Sequence, residues 1–356
     1  MAFWDFLQKK EQSVLGVDLG PSSIKIVQLR KQAGKAILET YGELALGPYA
    51  GVEVGQATNL SAEKITETLK DLIREAKVTT TSAGVSIPFA RSLLTLIELP
   101  RRANKEEQKT VIELEARKYI PVPISEVQLD WYIIPDEDPG KNVQKDKIKV
   151  LLVAVHNDEL TLLQGVVTGA GLVTNFYEIE IFSTIRAVVD EPVKPVMVLD
   201  IGAATSKAYI VEHGIVALSH TISTGSQDAT RAIAATKSIS IAQAESLKKT
   251  AGFTEGGDAR ASLEITFSRI FGEARRVLTQ YETTRQKPVA KIILTGRGGV
   301  TKQLAAYAQS AFSIEVRVAD PFAKTEAPAF LRPVLEAIGP EFAVAVGIAL
   351  RKLEEV

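Results

Sequence analysis

The chain has 356 residues, of which 46% are hydrophobic and 24% are charged, and its formal net charge is −1. This composition is ordinary for a globular protein and excludes the broad basic surface typical of nucleic-acid-binding proteins. Cysteine is absent, which excludes disulfides and thiolate metal sites and is consistent with a reducing compartment.

The N-terminus has no signal-peptide pattern, and no apolar stretch approaches the roughly 18 residues that a membrane span needs. We therefore predict a soluble cytoplasmic protein. The segment Phe3-Trp4-Asp5-Phe6-Leu7, followed by two lysines, is a candidate for contact with a membrane surface. Packing of this segment on its own domain is the alternative, which we favour because the segment is short.

The first 88 residues predict an α/β core. Strands are expected at 14–17, 24–29 and 36–46, because each is a short run rich in apolar and β-branched residues. Ser61 is a candidate N-cap for a helix with apolar residues at helical spacing. A further strand at 83–87 ends at Pro88.

Residues 89–177 predict a subdomain inserted in this first core. The order of predicted elements is strand, helix, strand, strand, helix, strand, which is the order of a ferredoxin-like fold. The helix that begins near Asn104 must end before Pro121, because proline cannot continue a helix.

The rest of the chain predicts a second α/β core, at 193–226 and 287–340, with a helical lobe at 227–286. Residues 178–192 and 341–356 are expected to return to the first core as helices. The last helix carries small residues at Ala343, Ala345, Gly347 and Ala349, so we expect it to be buried with its backbone close to its neighbours.

One short pattern occurs twice. Asp18 to Lys25 reads D-x-G-x-x-S-x-K, and Asp200 to Lys207 reads D-x-G-x-x-T-x-K. Each copy lies between two apolar runs, so each predicts a strand, a tight glycine turn and a second strand. Two such hairpins, facing each other, can hold a polyphosphate between them.

The first copy contains the groups that a phosphate needs. Gly20 leaves space beside the turn, and Ser22 and Ser23 offer hydroxyl and backbone N–H donors. Lys25 adds a charged donor, and Asp18 fits a Mg²⁺ ion held largely through water. The alternative for a single copy is a simple hairpin turn. A second copy with matching spacing argues against that alternative.

Two weaker motifs follow. Thr295-Gly296-Arg297-Gly298-Gly299 predicts a glycine turn between a strand and a helix, where backbone can approach a nucleotide. Glu245 and Lys248 are three residues apart on a predicted helix and could bind ribose hydroxyls. A solvated ion pair is the alternative for that pair.

The order of these motifs resembles the actin-like ATPase superfamily, and within it the PilM family of type IV pilus assembly proteins, which is related to FtsA. The stretches that carry the resemblance are 14–25, 115–123 with Asp130, 199–205 and 343–351. The resemblance implies an α/β actin-like fold with two lobes around a nucleotide cleft and an inserted ferredoxin-like subdomain.

The resemblance also implies ATP and Mg²⁺ as cofactors, with at most slow hydrolysis. Arg297 stands where the family usually has glycine, and Thr224-Gly225-Ser226 replaces a double glycine. Asp18 and Asp200 are the expected metal ligands, and Glu178 is the candidate for positioning a water, with ion pairing on the helix surface as the alternative for Glu178. The implied nucleotide-binding residues are Asp18, Gly20, Pro21, Ser22, Ser23, Lys25, Asp200, Gly202, Ala203, Ala204, Thr205, Gly225, Glu245, Lys248, Gly296, Arg297 and Gly298.

The implied partner is the cytoplasmic N-terminal tail of a PilN-like inner-membrane protein, which would recruit this chain to the inner membrane. Its groove is expected beside Tyr119, Ile120, Pro121 and Pro123. An alternative is an FtsA-like division protein that polymerises at the membrane, but the chain stops at Val356 without an amphipathic membrane helix. A sugar or acid kinase of the same superfamily is a third possibility, for which no catalytic carboxylate stands out.

Overall fold

The computed structural model describes residues 13–135, 146–190 and 194–354. The chain divides into two compact units, one formed by residues up to Ser86 with those from Val166, and the other by Ile87–Gly165. The candidate membrane contact at Phe3 to Leu7 lies outside the described residues.

We call the first of these units the main unit and the second, Ile87–Gly165, the insert. Both contain strands and helices. The strands are β1 Ser13–Leu19, β2 Ser23–Gln32, β3 Lys35–Ala45, β4 Ser82–Ile87, β5 Ser92–Pro100, β6 Val127–Ile134, β7 Lys147–His156, β8 Val173–Ile179, β9 Val196–Ile201, β10 Ser206–Glu212, β11 Ile215–Ile222, β12 Lys291–Thr295 and β13 Glu315–Val318. The helices are α1 Ala62–Glu75, α2 Lys105–Ala116, α3 Asn157–Gly169, α4 Glu180–Val188, α5 Ser226–Lys237, α6 Ile241–Ala251, α7 Arg260–Arg285, α8 Gly296–Gly299, α9 Leu304–Phe312, α10 Arg332–Ile338 and α11 Ala343–Glu354.

The main unit contains two sheets of the same topology. Their strand orders are β3-β2-β1-β4-β8 and β11-β10-β9-β12-β13. In each sheet the first three strands form an antiparallel meander, and the central strand pairs in parallel with the fourth. The repeat that the sequence shows only in two hairpins therefore extends over two whole sheets.

Each sheet buries apolar side chains under its own helices. β9 is buried along its whole length, as is the first part of β2. Leu69 and Leu72 of α1 pack on the first sheet, and the long helix α7 packs on the second sheet through residues such as Phe267 and Ile270. Removal of this apolar surface from water is the main force that stabilises each of the two cores.

The C-terminal helix is the buried packing helix that its small residues predicted. A Cβ on Gly347 would lie 1.8 Å from the carbonyl oxygen of Ser183 in α4. A Cβ on Gly16 of β1 would lie 2.0 Å from the carbonyl oxygen of Ala345. Only glycine permits these backbone approaches, so α11 is held between α4 and the first sheet.

One stretch differs from the expectation about membrane spans. Residues Ala329–Leu353 are long and apolar enough to cross a membrane, but 67% of their most apolar window is buried inside the fold. The apolar character of this stretch is explained by the burial of α11, because a core helix passes the same test.

The insert is smaller than the predicted ferredoxin-like subdomain. Its sheet has three strands in the order β5-β7-β6, around a core that includes Ile97, Ile112 and Leu152. The predicted fourth strand, β8, lies instead beside β4 in the first large sheet, where Val173 N–H donates to Thr81 O at 2.8 Å. The insert is therefore residues 87–165 rather than 89–177.

Candidate functional site

The two repeated motifs place an aspartate and a lysine side by side. In the first hairpin Asp18 is the cross-strand partner of Lys25, and in the second Asp200 is the cross-strand partner of Lys207. Directly opposed residues on one face of an antiparallel pair are close enough to interact. All four side chains line the same cleft between the two sheets.

The first hairpin presents a compact cluster of donors at its turn. Lys25 Nζ donates to Ser23 Oγ at 2.9 Å, and Ser86 Oγ donates to Asp18 Oδ1 at 3.1 Å. Burial raises the pKa of Asp18 and lowers the pKa of Lys25, although each of the two charges partly offsets the shift of the other. A ligand that brings a cation to Asp18 and an anion to Lys25 would stabilise the charged form of each group.

The lysine of the second hairpin is already paired with two carboxylates. Lys207 Nζ lies 2.6 Å from Glu180 Oε2 and 3.1 Å from Asp200 Oδ2. Burial disfavours the Lys207 ammonium, but the two carboxylates outweigh that effect and raise the pKa of Lys207. Glu180 begins α4, so this ion pair connects the first core to the second across the cleft.

The glycine turn after β12 fits tightly against the second hairpin. Gly296 has a φ of 77°, and a Cβ there would lie 2.3 Å from Asp200 Oδ1. Gly298 lies outside the cleft lining and packs on Ile201. Arg297 does line the cleft, and its guanidinium pairs with Glu43 and with Glu341, the latter at 3.3 Å.

The predicted nucleotide-binding residues divide into two groups. Most of them line the cleft, namely Asp18, Gly20, Pro21, Ser22, Ser23, Lys25, Asp200, Gly202, Ala203, Gly296 and Arg297. The others, Ala204, Thr205, Gly225, Glu245, Lys248 and Gly298, lie outside the lining.

Thr205 and Gly225 contact the backbone of the second glycine turn. Thr205 O accepts a hydrogen bond from Gly202 N–H at 3.0 Å, and a Cβ on Gly225 would lie 2.2 Å from Ala203 O. Ser226 and Gln227 donate their N–H groups to the carbonyls of Gly202 and Ala203. These first amides of α5 are therefore bonded within the protein.

Glu245 and Lys248 form a buried ion pair rather than the solvated pair that was the alternative. Their charged atoms are 2.6 Å apart, and Thr230 bonds to both side chains. Burial lowers the pKa of Lys248, and Glu245 opposes that shift. Within the described part of the chain, Glu245 Oε1 is buried and has no hydrogen-bond partner.

Glu178 does not lie in the cleft, contrary to the expectation for a water-positioning residue. It is buried, its carboxylate pairs with Arg186 at 2.7 Å and with Arg351 at 3.0 Å, and it accepts a hydrogen bond from Ser183. The glutamate of this segment that lines the cleft is Glu180. Glu178 joins β8, α4 and α11 as a structural ion pair.

Sequence reasoning also missed Glu43 and Glu341. Both pair with Arg297, and Glu341 lines the cleft. Neither belongs to a motif, so no local signal indicates them.

Among the residues that the structure describes, no group of three or more acidic or histidine side chains could hold a metal ion. A cation between Asp18 and Asp200 would therefore need oxygens from water or from a ligand.

The predicted partner segment lies at the surface of the insert, except for one residue. Tyr119 is 46% exposed, and Pro121 and Pro123 are exposed beside it. Ile120 is buried in the core of the insert and is not available to a partner.

A family model described as type IV pilus assembly protein PilM matches residues 16–353. This chain belongs to the PilM family. Family membership gives the chain a role in type IV pilus assembly, as its motifs had indicated.

Solved structures of low sequence identity share the fold. A PilM–PilN type IV pilus biogenesis complex aligns with a TM-score of 0.80 and 24% identity over 96% of this chain and 98% of that chain. The ethanolamine utilization protein EutJ from Carboxydothermus hydrogenoformans aligns at 0.57 and 16% over 95% and 89%. MreB 5 of Spiroplasma citri bound to AMPPNP aligns at 0.55 and 13% over 97% of each chain. The fold of this chain is that of the actin-like ATPases.

Proposed function

We propose that this chain is a nucleotide-dependent scaffold of type IV pilus assembly, with Mg-ATP held in the cleft. The observation that carries the proposal is the pair of repeated hairpins, whose Asp18–Lys25 and Asp200–Lys207 pairs line one cleft. A single glycine hairpin is common, but two of them that face one cleft could hold one polyphosphate from both sides.

The donor set of the cleft fits a magnesium–triphosphate. Asp18 is buried with a raised pKa, and a divalent cation would stabilise its ionised form. Lys25 is buried with a lowered pKa, and a phosphate would stabilise its ammonium. The Ser22 and Ser23 hydroxyls and the backbone of Gly20, which also line the cleft, would complete the phosphate contacts.

The residues of the second hairpin would hold the same magnesium–triphosphate from the other side of the cleft. Asp200 is the second candidate for water-mediated contact with Mg²⁺, and Gly296 brings backbone close to it. Magnesium bound there would neutralise phosphate charge. Glu180 replaces Glu178 as the candidate for holding a water near the phosphates, because Glu180 faces the cleft and Glu178 is paired with arginines. Since Lys207 already holds Glu180, we expect hydrolysis to be slow.

The proposed partner is the cytoplasmic tail of a PilN-like inner-membrane protein, bound at the surface of the insert. Tyr119, Pro121 and Pro123 offer a rigid, partly apolar contact surface there. A flexible tail that orders on such a surface gives up conformational entropy for contact area. Through this partner the chain would be recruited from the cytoplasm to the inner membrane.

Partner binding is tested by pull-down of the full chain with a PilN-like tail peptide, with and without Mg-ATP. We expect Tyr119→Ala to weaken capture by about tenfold, because exposed aromatic residues dominate such contacts. Phe330→Ala is the matched control, since Phe330 is an exposed aromatic of the main unit. If both variants are captured like the wild type, the surface around Tyr119 is not the binding site.

A further inference from the structure

Arg297 makes an ion pair across the cleft. It belongs to the glycine turn after β12, in the second core, and its guanidinium pairs with Glu43 near the end of β3, in the first core. It also lies 3.3 Å from Glu341 Oε2. The Arg297 side chain is 10% exposed and that of Glu43 is 27% exposed, so their ion pair is only partly shielded from water.

Two cations converge on the first phosphate turn. Lys25 Nζ donates to Ser23 Oγ at 2.9 Å, and Arg297 Nη2 lies 3.4 Å from the same hydroxyl. Lys25 Nζ also lies 3.6 Å from Glu43 Oε1, the oxygen that pairs with Arg297. One carboxylate oxygen thus serves both cations, which is the arrangement that a phosphate oxygen would make with them.

The cluster contains polar atoms whose bonding is incomplete. Within the described residues, Arg297 Nε and Glu341 Oε2 are buried and have no hydrogen-bond partner. A guanidinium carries five N–H donors in a planar fork, and an unpaired buried donor costs free energy. The present arrangement therefore leaves room for a second set of partners around Arg297.

We propose that Glu43 is an internal competitor of the nucleotide phosphates, and that Arg297 exchanges Glu43 for a phosphate when nucleotide binds. This inference rests on the proposed function, since it concerns the same cleft. The exchange breaks an ion pair between the two cores. Because that pair must be lost before phosphate binds, Glu43 lowers the affinity of the cleft for a phosphate ligand.

The two possible roles of Glu43 have opposite consequences. If its ion pair is only structural, Glu43→Gln loosens the cleft and leaves nucleotide affinity unchanged or lower. If Glu43 competes with phosphate, Glu43→Gln frees Lys25 and Arg297 and raises affinity. Arg297→Met should lower affinity in the second case, because it removes the donor that phosphate would recruit.

The test is calorimetric titration of the full chain with Mg-ATP. We expect Glu43→Gln to bind about tenfold more tightly than wild type and Arg297→Met about tenfold more weakly. In the Arg297→Met background, the added effect of Glu43→Gln should shrink, because the two residues act through one pair. Thermal unfolding without nucleotide verifies that each variant is folded.

Glu39→Gln is the matched control. Glu39 is also an acidic residue of β3, its side chain is 25% exposed against 27% for Glu43, and it pairs with Arg30 at 3.0 Å. We expect its affinity to equal that of the wild type. An increase in Glu39→Gln as large as that in Glu43→Gln would overturn the inference, because it would reflect net charge alone.

The outcomes separate the inference from the proposed function. If wild type binds Mg-ATP and folded Glu43→Gln binds no more tightly, the inference fails and the proposed function stands. If neither protein binds, both fail together. Binding by Glu43→Gln in the absence of measurable binding by wild type would support both.

Discussion

Single residues in the cleft carry charges that burial disfavours. Asp18 has a raised pKa because it is removed from water, and the nearby Lys25 only partly offsets that effect. A group whose folded-state pKa is raised binds protons more strongly in the folded protein, so its ionised form costs stability as pH rises.

Asp18→Asn removes this cost without changing the shape of the side chain. We expect the stability of the variant relative to wild type to increase as pH rises from about 4 to about 8 in the absence of nucleotide. Urea unfolding at several pH values measures the difference. A relative stability that falls over this range would contradict the burial of an ionisable carboxyl at this position.

Glu178 is a residue whose role in the structure differs from the one that the family resemblance implied. Its carboxylate joins Arg186 and Arg351, so Glu178→Gln should leave two partly buried arginines without their counter-charge and cost roughly 1.5–3 kcal/mol. Glu67→Gln, in an exposed pair with Lys64, should cost less than about 1 kcal/mol. Urea unfolding distinguishes them, and equal costs would exclude a structural role for the Glu178 pair.

The sequence could predict the partners within each hairpin but not the roles of Glu178 and Glu180. The spacing of aspartate and lysine around a tight turn determines that they are cross-strand neighbours, so a local pattern was enough. Glu178 ends a strand and Glu180 begins a helix, and their partners Arg351 and Lys207 are distant in sequence. Which glutamate faces the cleft depends on that tertiary packing.

At the scale of elements, the close approach of α11 to α4 is the contact most sensitive to substitution. A Cβ on Gly347 would meet the backbone of Ser183 at 1.8 Å, and backbone cannot move aside as a side chain can. For strand β8, the predicted order of elements indicated a strand but assigned it to the wrong sheet. Its place beside β4 follows from long-range pairing.

Gly347→Ala should therefore destabilise the protein by several kcal/mol, on the order of 3–5. Gly272→Ala is the control within another helix, since apart from its chain neighbours and the backbone of its own helix no heavy atom of the described chain lies within 4 Å of the added Cβ. That substitution should stabilise the protein by about 0.5–1 kcal/mol, because alanine restricts the unfolded chain and favours helix. Thermal unfolding of the two variants would refute the packing of α11 if both were equally stable.

At the scale of the whole molecule, the main unit is a duplicated arrangement of two five-stranded sheets. The sequence indicated the duplication only at the two hairpins, because the two glycine turns retain a shared pattern while the surrounding strands share only apolar character. The resemblance to a family supplied the overall architecture, which periodicity alone would have left as an α/β protein with an insert. Neither the family resemblance nor the periodicity predicted the three-stranded sheet of the insert.

The central claim is that both hairpins hold one magnesium–nucleotide unit, and calorimetric titration of Mg-ATP into wild type, Lys25→Met and Asp200→Asn tests it most directly. We predict a single site per chain in the wild type, lost on removal of Mg²⁺ with a chelator, and weakened by about tenfold or more in each variant. Absence of binding to the folded wild-type protein that Glu43→Gln does not restore, or a site that only one of the two variants weakens, would contradict the claim.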